Sequence, residues 1–151
     1  NLALVVGQVL AAEPASVPIV AQFPIYPATR MDAEGGSMDE FAEGFLLTKE
    51  SMEYFDQQYA PKDDDIHVSP YLGDLAASPP TVLVTAGLDP LRDQGRDYAA
   101  DLIRHGVNTT FMEMPGNVHG FINIRKAVPS AQQDVDKMIA AWKTLLASLE
   151  S

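Results

Sequence analysis

The stretch AGLDPLRDQG at residues 86–95 decides the fold, because it leads from a buried strand into a helix. It follows the apolar run TVLVT at residues 81–85, which is typical of a strand in the interior of a parallel sheet. Open α/β sheets place their working groups just past the carboxyl ends of such strands. Asp89 occupies that position. We therefore predict a functional carboxylate in the turn that follows this strand.

A second turn, PGNVHGF at residues 115–121, carries a histidine and follows another strand-like run at residues 107–114. If the two strands are parallel neighbours, both turns open at the same edge of the sheet and Asp89 can meet His119. A carboxylate that orients an imidazole provides two of the three groups of a nucleophilic triad. Each residue also has a simpler interpretation, Asp89 as a cap of the following helix and His119 as a packed loop histidine.

Composition limits the classes of protein to which the chain can belong. Its 151 residues, 46% of them hydrophobic, suit one folded domain. The formal net charge of −11 argues against nucleic acid or an anionic membrane as a partner, since both attract basic surfaces. The absence of cysteine excludes thiolate chemistry, and no apolar run reaches the roughly 18 residues of a membrane span. We expect no cofactor and a cytoplasmic location, although no sequence signal determines the compartment.

The predicted elements alternate between helices and strands. In chain order they are helix 1–13, strand 19–23, an insertion, strand 81–85, helix 92–105, strand 107–114 and helix 131–149. The first helix is apolar nearly all round, which predicts that it is buried. In helix 92–105 we expect Tyr98, Leu102 and Ile103 to face inward. This order predicts an α/β architecture with a mostly parallel sheet flanked by helices, and the weak polar alternation of strand 107–114 places it near a sheet edge.

The insertion, at about residues 38–60, contains a helical pattern over residues 45–59 with a broad apolar and aromatic face. It falls between two strands of the predicted sheet and so can lie above the strand ends, as a cap does. Leu47, Met52 and Phe55 then line a hydrophobic acyl or alcohol pocket. In the alternative they are ordinary core residues, and the sequence leaves both interpretations open.

Other charged residues have interpretations without catalysis. His67 follows the acidic run at residues 63–65, but the run lacks a settled metal-ligand spacing, which favours a solvated loop. Asp93 is expected to be a helix-start acid, or a partner of Arg92 or of a backbone N–H. His105 precedes a glycine and is expected at a helix C-terminus, where its charge is mildly favoured.

The motifs taken together resemble one family. They are DPLRD at residues 89–93 with Gly95, HGF at 119–121, FLLT at 45–48, SP at 69–70, PP at 79–80 and the opening NLA at 1–3. Their joint spacing resembles that of the α/β-hydrolase family of bacterial esterases related to hormone-sensitive lipase. The resemblance implies a Ser-Asp-His triad in that chain order, with Asp89 as its acid and His119 as its base.

The same resemblance implies parts that this sequence does not contain. The Gly-x-Ser-x-Gly nucleophile turn and the His-Gly-Gly-Gly oxyanion loop of the family would both precede Asn1. We therefore expect residues 1–151 to be the C-terminal part of one α/β-hydrolase domain, inactive alone because the nucleophilic serine lies elsewhere. The N-terminal half of the same protein is then its first partner.

The resulting hypothesis is a carboxylesterase that acts on small esters with a short to medium acyl chain. Strand 107–114 is also expected to pair across the two-fold axis of a homodimer. The rival hypothesis is a non-catalytic protein that binds a small ligand on the same fold. A free-standing domain of 151 residues is disfavoured, because three strands and an all-round apolar helix leave too much apolar surface uncovered.

Overall fold

The structure is a computed structural model that describes residues 1–60 and 65–150. Its elements are α1 (Leu2–Ala12), α2 (Ser37–Glu40), α3 (Lys49–Tyr59), β1 (Thr81–Leu88), α4 (Arg92–Arg104), β2 (Thr109–Val118), α5 (Phe121–Ile124) and α6 (Ala131–Leu149), with 3-10 turns at Pro70–Leu72 and Leu75–Ala77. Among the described residues, no helix has the length and apolar character needed to cross a bilayer.

The sheet is built around β1. It pairs in parallel with β2, from Thr81 opposite Thr109 to Leu88 opposite Val118. Along the other side of β1 run residues 22–26, which form single parallel bridges at residues 22 and 25. The sheet is therefore parallel throughout the described part of the chain, as the sequence predicted. There β2 has one strand neighbour, which confirms its predicted place at an edge.

The predicted strand at residues 19–23 is wrong in its bounds, because the pairing extends from residue 22 to residue 26. Gln22 and Tyr26 donate backbone hydrogen bonds to the carbonyls of Pro80 and Val84, 2.9 and 2.6 Å away. Between them, Pro24 has no N–H to donate. The proline breaks the ladder into isolated bridges but leaves the direction of the segment unchanged.

Alternate residues of β1 pack into two separate hydrophobic layers, as the two-residue period of a strand requires. Val82, Val84 and Ala86 join Phe121 and the buried side of α6. Leu83 faces the opposite layer, whose buried members are Leu4 of α1, Leu75, and Tyr98, Ala99 and Leu102 of α4. The sheet thus lies between two layers of helices, and the predicted α/β architecture is confirmed.

Two predicted helix faces need correction. In α1, Leu4 is fully buried but Leu2 is 72% exposed, so within the described residues the helix buries one side only. In α4, Tyr98 and Leu102 are buried as predicted, whereas Ile103 is 55% exposed. Successive helical residues are rotated by about 100°, and Ile103 falls outside the stripe that Leu102 buries.

The strand and helix bounds near the second turn also differ in part. The predicted strand 107–114 begins at Thr109 and continues to Val118, so the residues expected in the turn still belong to β2. The last helix, α6, has the predicted bounds 131–149.

The insertion holds two helices, and its main helix starts later than predicted. Thr48 is the N-cap of α3: its hydroxyl accepts from the Ser51 N–H at 3.1 Å, and the Ser51 hydroxyl accepts from the Thr48 N–H at 3.1 Å. This capping box starts the helix at Lys49 and not at residue 45. None of the eleven residues of α3, all of them described, is buried.

Candidate active site

Asp89 and His119 meet at the carboxyl ends of β1 and β2. Asp89 comes directly after β1, and His119 directly after β2. The imidazole Nδ1 and the carboxylate Oδ2 are 2.8 Å apart, a hydrogen-bond distance. The predicted meeting of the two side chains is therefore present in the structure.

A bulge in the β1–β2 ladder brings the two turns together. Ala86 pairs with Met114 and Leu88 pairs with Val118, so Gly87 alone faces residues 115–117. A Cβ atom on Gly87 would overlap the backbone of Pro115. Only glycine permits this approach. It places the end of β2 directly over the start of the turn at residues 89–93, which carries Asp89 and is called the acid turn below.

The two oxygens of Asp89 have different partners. Oδ1 accepts the backbone N–H of Leu91 at 2.9 Å, which is the turn-capping role expected of an Asp-Pro sequence. Oδ2 bonds to His119, and the whole residue is 0% exposed. The capping and the orienting interpretations of Asp89 therefore both hold, one for each oxygen.

This geometry sets the tautomer of His119. An ionised carboxylate only accepts hydrogen bonds, so Nδ1 carries the hydrogen and Nε2 presents its lone pair. Among the described residues Nε2 has no hydrogen-bond partner, and 27% of the side chain remains exposed. The arrangement can accept a proton at Nε2 and stabilise the resulting imidazolium through Asp89.

Tyr26 packs against the imidazole and was missed by the sequence reasoning. Its ring centroid lies 4.5 Å from that of His119, and the ring of Phe121 contacts it edge-on at 5.7 Å. Its φ of +39° is rare for a residue with a side chain and typically costs about 1–3 kcal/mol. Burial raises the pKa of Tyr26, and the negative charge of Asp89 raises it further. The sequence placed Tyr26 only in the proline-rich stretch that follows the predicted strand 19–23.

A cavity of about 440 Å³ adjoins His119. Leu47, Met52 and Phe55, the three predicted pocket residues, all line it, and none of them is buried among the described residues. Asp56 lies on the same wall, where burial and then the charge of Glu53 raise the pKa of its carboxyl group.

Gln94, which the sequence reasoning also missed, supports another wall of this cavity. Its side-chain Oε1 accepts the backbone N–H groups of Thr29 and Arg30, at 2.6 and 3.1 Å. The residue is buried and belongs to α4, directly after the DPLRD motif. It therefore joins the loop after Tyr26 to the helix that follows Asp89.

Asp93 stabilises the acid turn through electrostatic contacts, as expected. Its carboxylate accepts from Arg92 Nε at 2.8 Å and from the Ser37 N–H at 2.9 Å. Burial acts to raise the pKa of Asp93, but Arg92, the Ser37 N–H and the nearby charge of Arg96 together outweigh it, and the pKa is lowered overall. The Ser37 hydroxyl also donates to the carbonyl of Pro90 at 2.7 Å. Ser37, at the start of α2, thus holds the DPLRD turn in place.

The His119 turn is anchored to α6 by a buried pair. Asn117, which is fully buried, donates from Nδ2 to Asp134 Oδ2 at 2.7 Å. Lys137 donates to the other oxygen of Asp134, also at 2.7 Å. These contacts tie the end of β2 to the helix behind it.

The remaining histidines lie outside the site. His105 caps the end of α4, with Nδ1 2.8 Å from the carbonyl oxygen of Asp101. His67 lies beside Asp65, with Nδ1 2.8 Å from a carboxylate oxygen. Asp63 and Asp64, the other members of the acidic run, are outside the described residues. Within residues 1–60 and 65–150, no group of three or more acidic or histidine side chains could hold a metal ion.

A parallel sheet between helices, with an acid and a histidine at neighbouring strand ends, is the arrangement of an α/β hydrolase. Residues 1–123 match the profile of a family described as having the alpha/beta hydrolase fold. The chain belongs to this family, as its resemblance to esterases related to hormone-sensitive lipase implied.

Relatives of known activity include several ester hydrolases. The chain is 33% identical to the ethyl acetate hydrolase of Pseudomonas putida over 93% of its own length and 46% of the relative's. It is also 33% identical to the carboxylic ester hydrolase LipN of Mycobacterium tuberculosis, over 84% of its own length and 35% of the relative's. The chain therefore spans less than half the length of these relatives.

Solved structures agree with this assignment. The vibralactone cyclase structure superimposes with a TM-score of 0.90 at 28% identity, covering 100% of this chain and 48% of that one. An ester hydrolase from the Lake Arreo metagenome, EH1AB1, superimposes with a TM-score of 0.84 at 36% identity, covering 98% of this chain and 47% of that one.

Proposed function

We propose that the protein is a carboxylesterase in which Asp89 and His119 are the acid and the base of a Ser-Asp-His triad. The observation that carries this proposal is the 2.8 Å contact between His119 Nδ1 and a fully buried Asp89, at the edge of a partly apolar cavity. Membership of a family that contains ester hydrolases supports an ester as the substrate.

The first half of the proposed reaction acylates a serine, which we place in a part of the protein outside residues 1–151. As the serine oxygen attacks the ester carbonyl, His119 Nε2 takes the hydroxyl proton. The tetrahedral intermediate then collapses, the bond to the alcohol oxygen breaks, and His119 gives its proton to that oxygen. The products of this half-reaction are an acyl-enzyme and a free alcohol.

The second half repeats these steps with water. His119 removes a proton from the attacking water and returns it to the serine oxygen as the acid leaves. Throughout, the buried carboxylate of Asp89 stabilises the transient imidazolium and keeps Nε2 as the basic nitrogen. A buried carboxylate serves this purpose well, because water does not screen it there.

The cavity supports a substrate with a short to medium acyl chain. Leu47, Met52 and Phe55 give one wall an apolar surface, and a site of about 440 Å³ suits a small ester. We assign residues 38–60 to a cap-type insertion that supplies this wall. The proposed reaction needs no cofactor.

The first test replaces the proposed base. In the intact protein, His119→Ala should lower turnover of p-nitrophenyl butyrate by at least about 10³-fold, because no group then accepts the serine proton. His105→Ala is the matched control, since that histidine lies at the end of α4, and it should keep wild-type turnover. Wild-type turnover in His119→Ala would disprove the proposal.

The rival function is binding of a small ligand without turnover. It would be favoured if the intact protein bound an ester analogue tightly and released no alcohol from any ester offered. The Asp89–His119 contact speaks for the enzyme, because a binding protein has no need of an oriented imidazole.

Two partner proposals follow from the same arrangement. The segment 1–151 alone should be inactive, and adding the rest of the protein as a separate polypeptide should restore turnover if the two parts assemble.

We also propose that β2 pairs with a second copy of the chain, since in the described part its outer edge has no strand neighbour. Sedimentation of a folded Thr109→Pro variant tests this pairing, and an unchanged dimer would count against it.

A further inference from the structure

Tyr26 occupies the third strand end at the site. It is the last residue of the segment 22–26, which runs beside β1. Its backbone N–H donates to the Val84 carbonyl at 2.6 Å. Asp89 follows the neighbouring strand β1, and His119 follows β2 beyond it. Three adjacent chain segments therefore each deliver one side chain to the same edge of the sheet.

The rings of Phe121, Tyr26 and His119 pack in series. Phe121 is fully buried and meets Tyr26 edge-on, with 5.7 Å between centroids and 69° between planes. Tyr26 in turn contacts the imidazole, with 4.5 Å between centroids and 55° between planes. The carboxylate of Asp89 holds the imidazole at Nδ1, and the tilted ring of Tyr26 is a second contact with it.

The backbone at Tyr26 is strained in a way that serves this contact. Its φ of +39° lies in the left-handed region, where a side chain is unfavourable, and the following Pro27 restricts it further. Strain of this kind persists where the surroundings enforce it, and it is concentrated at functional sites. Among the described residues the Tyr26 hydroxyl makes no hydrogen bond, so the ring and not the hydroxyl accounts for the contact.

We propose that Tyr26 is a positioning residue for His119: its ring holds the imidazole with Nε2 toward the cavity and stabilises the imidazolium formed during turnover. The ring centroid lies within the roughly 6 Å over which an aromatic ring attracts a cation. The inference rests on the proposed function, since it assumes that His119 carries a proton during the reaction. It adds a residue that acts on the base without itself exchanging a proton.

The test compares Tyr26→Leu with Tyr26→Phe in the intact protein. Tyr26→Leu removes the aromatic ring and should lower kcat about tenfold, because the ring stabilises the charged state of His119. KM should change much less, because leucine keeps an apolar side chain at the place where Tyr26 lines the cavity. Tyr26→Phe keeps the ring and should retain at least about half of the wild-type kcat, since only an unbonded hydroxyl is lost.

A second variant keeps the test valid if Tyr26→Leu does not fold. Glycine adopts a φ of +39° without steric cost, so Tyr26→Gly removes the ring while relieving the backbone strain. It should lower kcat by at least as much as Tyr26→Leu. Thermal unfolding of each variant shows whether the fold is intact.

Three results would overturn the inference. They are a Tyr26→Leu or Tyr26→Gly enzyme with wild-type kcat, a loss confined to KM, and a Tyr26→Phe enzyme as impaired as Tyr26→Leu. His119→Ala, assayed in parallel, separates this failure from that of the proposed function. If His119→Ala is inactive while the ring-deleted enzymes keep wild-type kcat, only the role of Tyr26 is disproved.

Discussion

The acid turn and helix α3 both contribute to the site, but the structure holds them very differently. Asp89 in the turn is fully buried, and both of its carboxylate oxygens are bonded. Helix α3, by contrast, buries none of its eleven described residues, and Phe55 is 56% exposed where it lines the cavity. The proposed acid thus belongs to the core, whereas the residues proposed for substrate binding belong to the surface.

This difference indicates that rate and specificity can change independently. Buried hydrogen-bonded groups are costly to alter, because removing one partner leaves the other unsatisfied. Exposed apolar side chains can be exchanged at little cost to stability. Substitutions in the two regions should therefore separate into those that change kcat and those that change KM.

The largest effect is expected from Asp89→Asn. The amide oxygen can still accept the Leu91 N–H, but the amide N–H₂ would then face His119 Nδ1 and force the opposite tautomer. Nε2 would carry a hydrogen and could not act as a base, so kcat should fall by about 10³–10⁴-fold with the fold retained. Asp97→Asn, on the exposed side of α4, is the control and should leave turnover of p-nitrophenyl butyrate unchanged.

A smaller but global effect is expected from Gly87→Ala. The added methyl group would overlap the Pro115 backbone and push the two strand ends apart. Chemical denaturation should show a loss of about 1–3 kcal/mol in the free energy of unfolding. Gly116→Ala is the matched control in β2, because its methyl group would have no heavy atom within 4 Å. Equal stability of both variants would contradict the close packing of the two turns.

Phe55→Ala tests the other half of the comparison, the exposed helix α3. It removes apolar surface from the cavity wall, which should raise KM for p-nitrophenyl hexanoate about fivefold, while kcat and the unfolding midpoint change little. Tyr54→Ala is the control, because Tyr54 is 57% exposed and lies outside the cavity lining. An equal rise in KM for both variants would show that α3 does not present Phe55 specifically to the substrate.

The smallest expected effect is on the pH dependence of stability, through the contacts that Asp93 makes with Arg92 and Ser37. Burial acts to raise the pKa of Asp93, but Arg92, Ser37 and Arg96 together outweigh it, so the pKa is lowered in the folded protein. Its stabilising contribution is therefore complete above the ordinary aspartate pKa of about 3.9 and is lost as the pH falls through the lower folded value. Asp93→Asn should lower the thermal midpoint more at pH 6 than at pH 2.5. A similar decrease at both values would contradict this linkage.

Much of the site could be predicted from local patterns. Asp89 and His119 were predicted because each follows an apolar run that ends in a turn, and parallel neighbours bring such turns to one edge. The α/β architecture and the bounds of α6 were predicted correctly for the same reason, since hydrophobic period and turn residues are local properties. The family was predicted from the resemblance of the motifs and their joint spacing, and the family match confirms it. Leu47, Met52 and Phe55 line the cavity, but their proposed role as substrate contacts remains a prediction.

Other features depended on contacts between distant segments. Tyr26 lies in a proline-rich stretch that indicated only a turn, and its contact with His119 requires residues 22–26 to run beside β1. The start of α3 depended on the Thr48–Ser51 capping box, which outweighed the apolar spacing that begins at residue 45. Ile103 was placed inward from its apolar character, but it falls outside the stripe of α4 that Leu102 buries and is exposed.

The sequence by itself determined which residue types stand at the strand ends and that the sheet is parallel, because apolar runs, turns and helix stops act through near neighbours in the chain. Only the tertiary structure decided that Gly87 lets Pro115 approach, that Asp89 divides its oxygens between Leu91 and His119, and that Tyr26 contacts the imidazole. These contacts join segments far apart in sequence. Their geometry depends on how the layers pack, which no local pattern specifies.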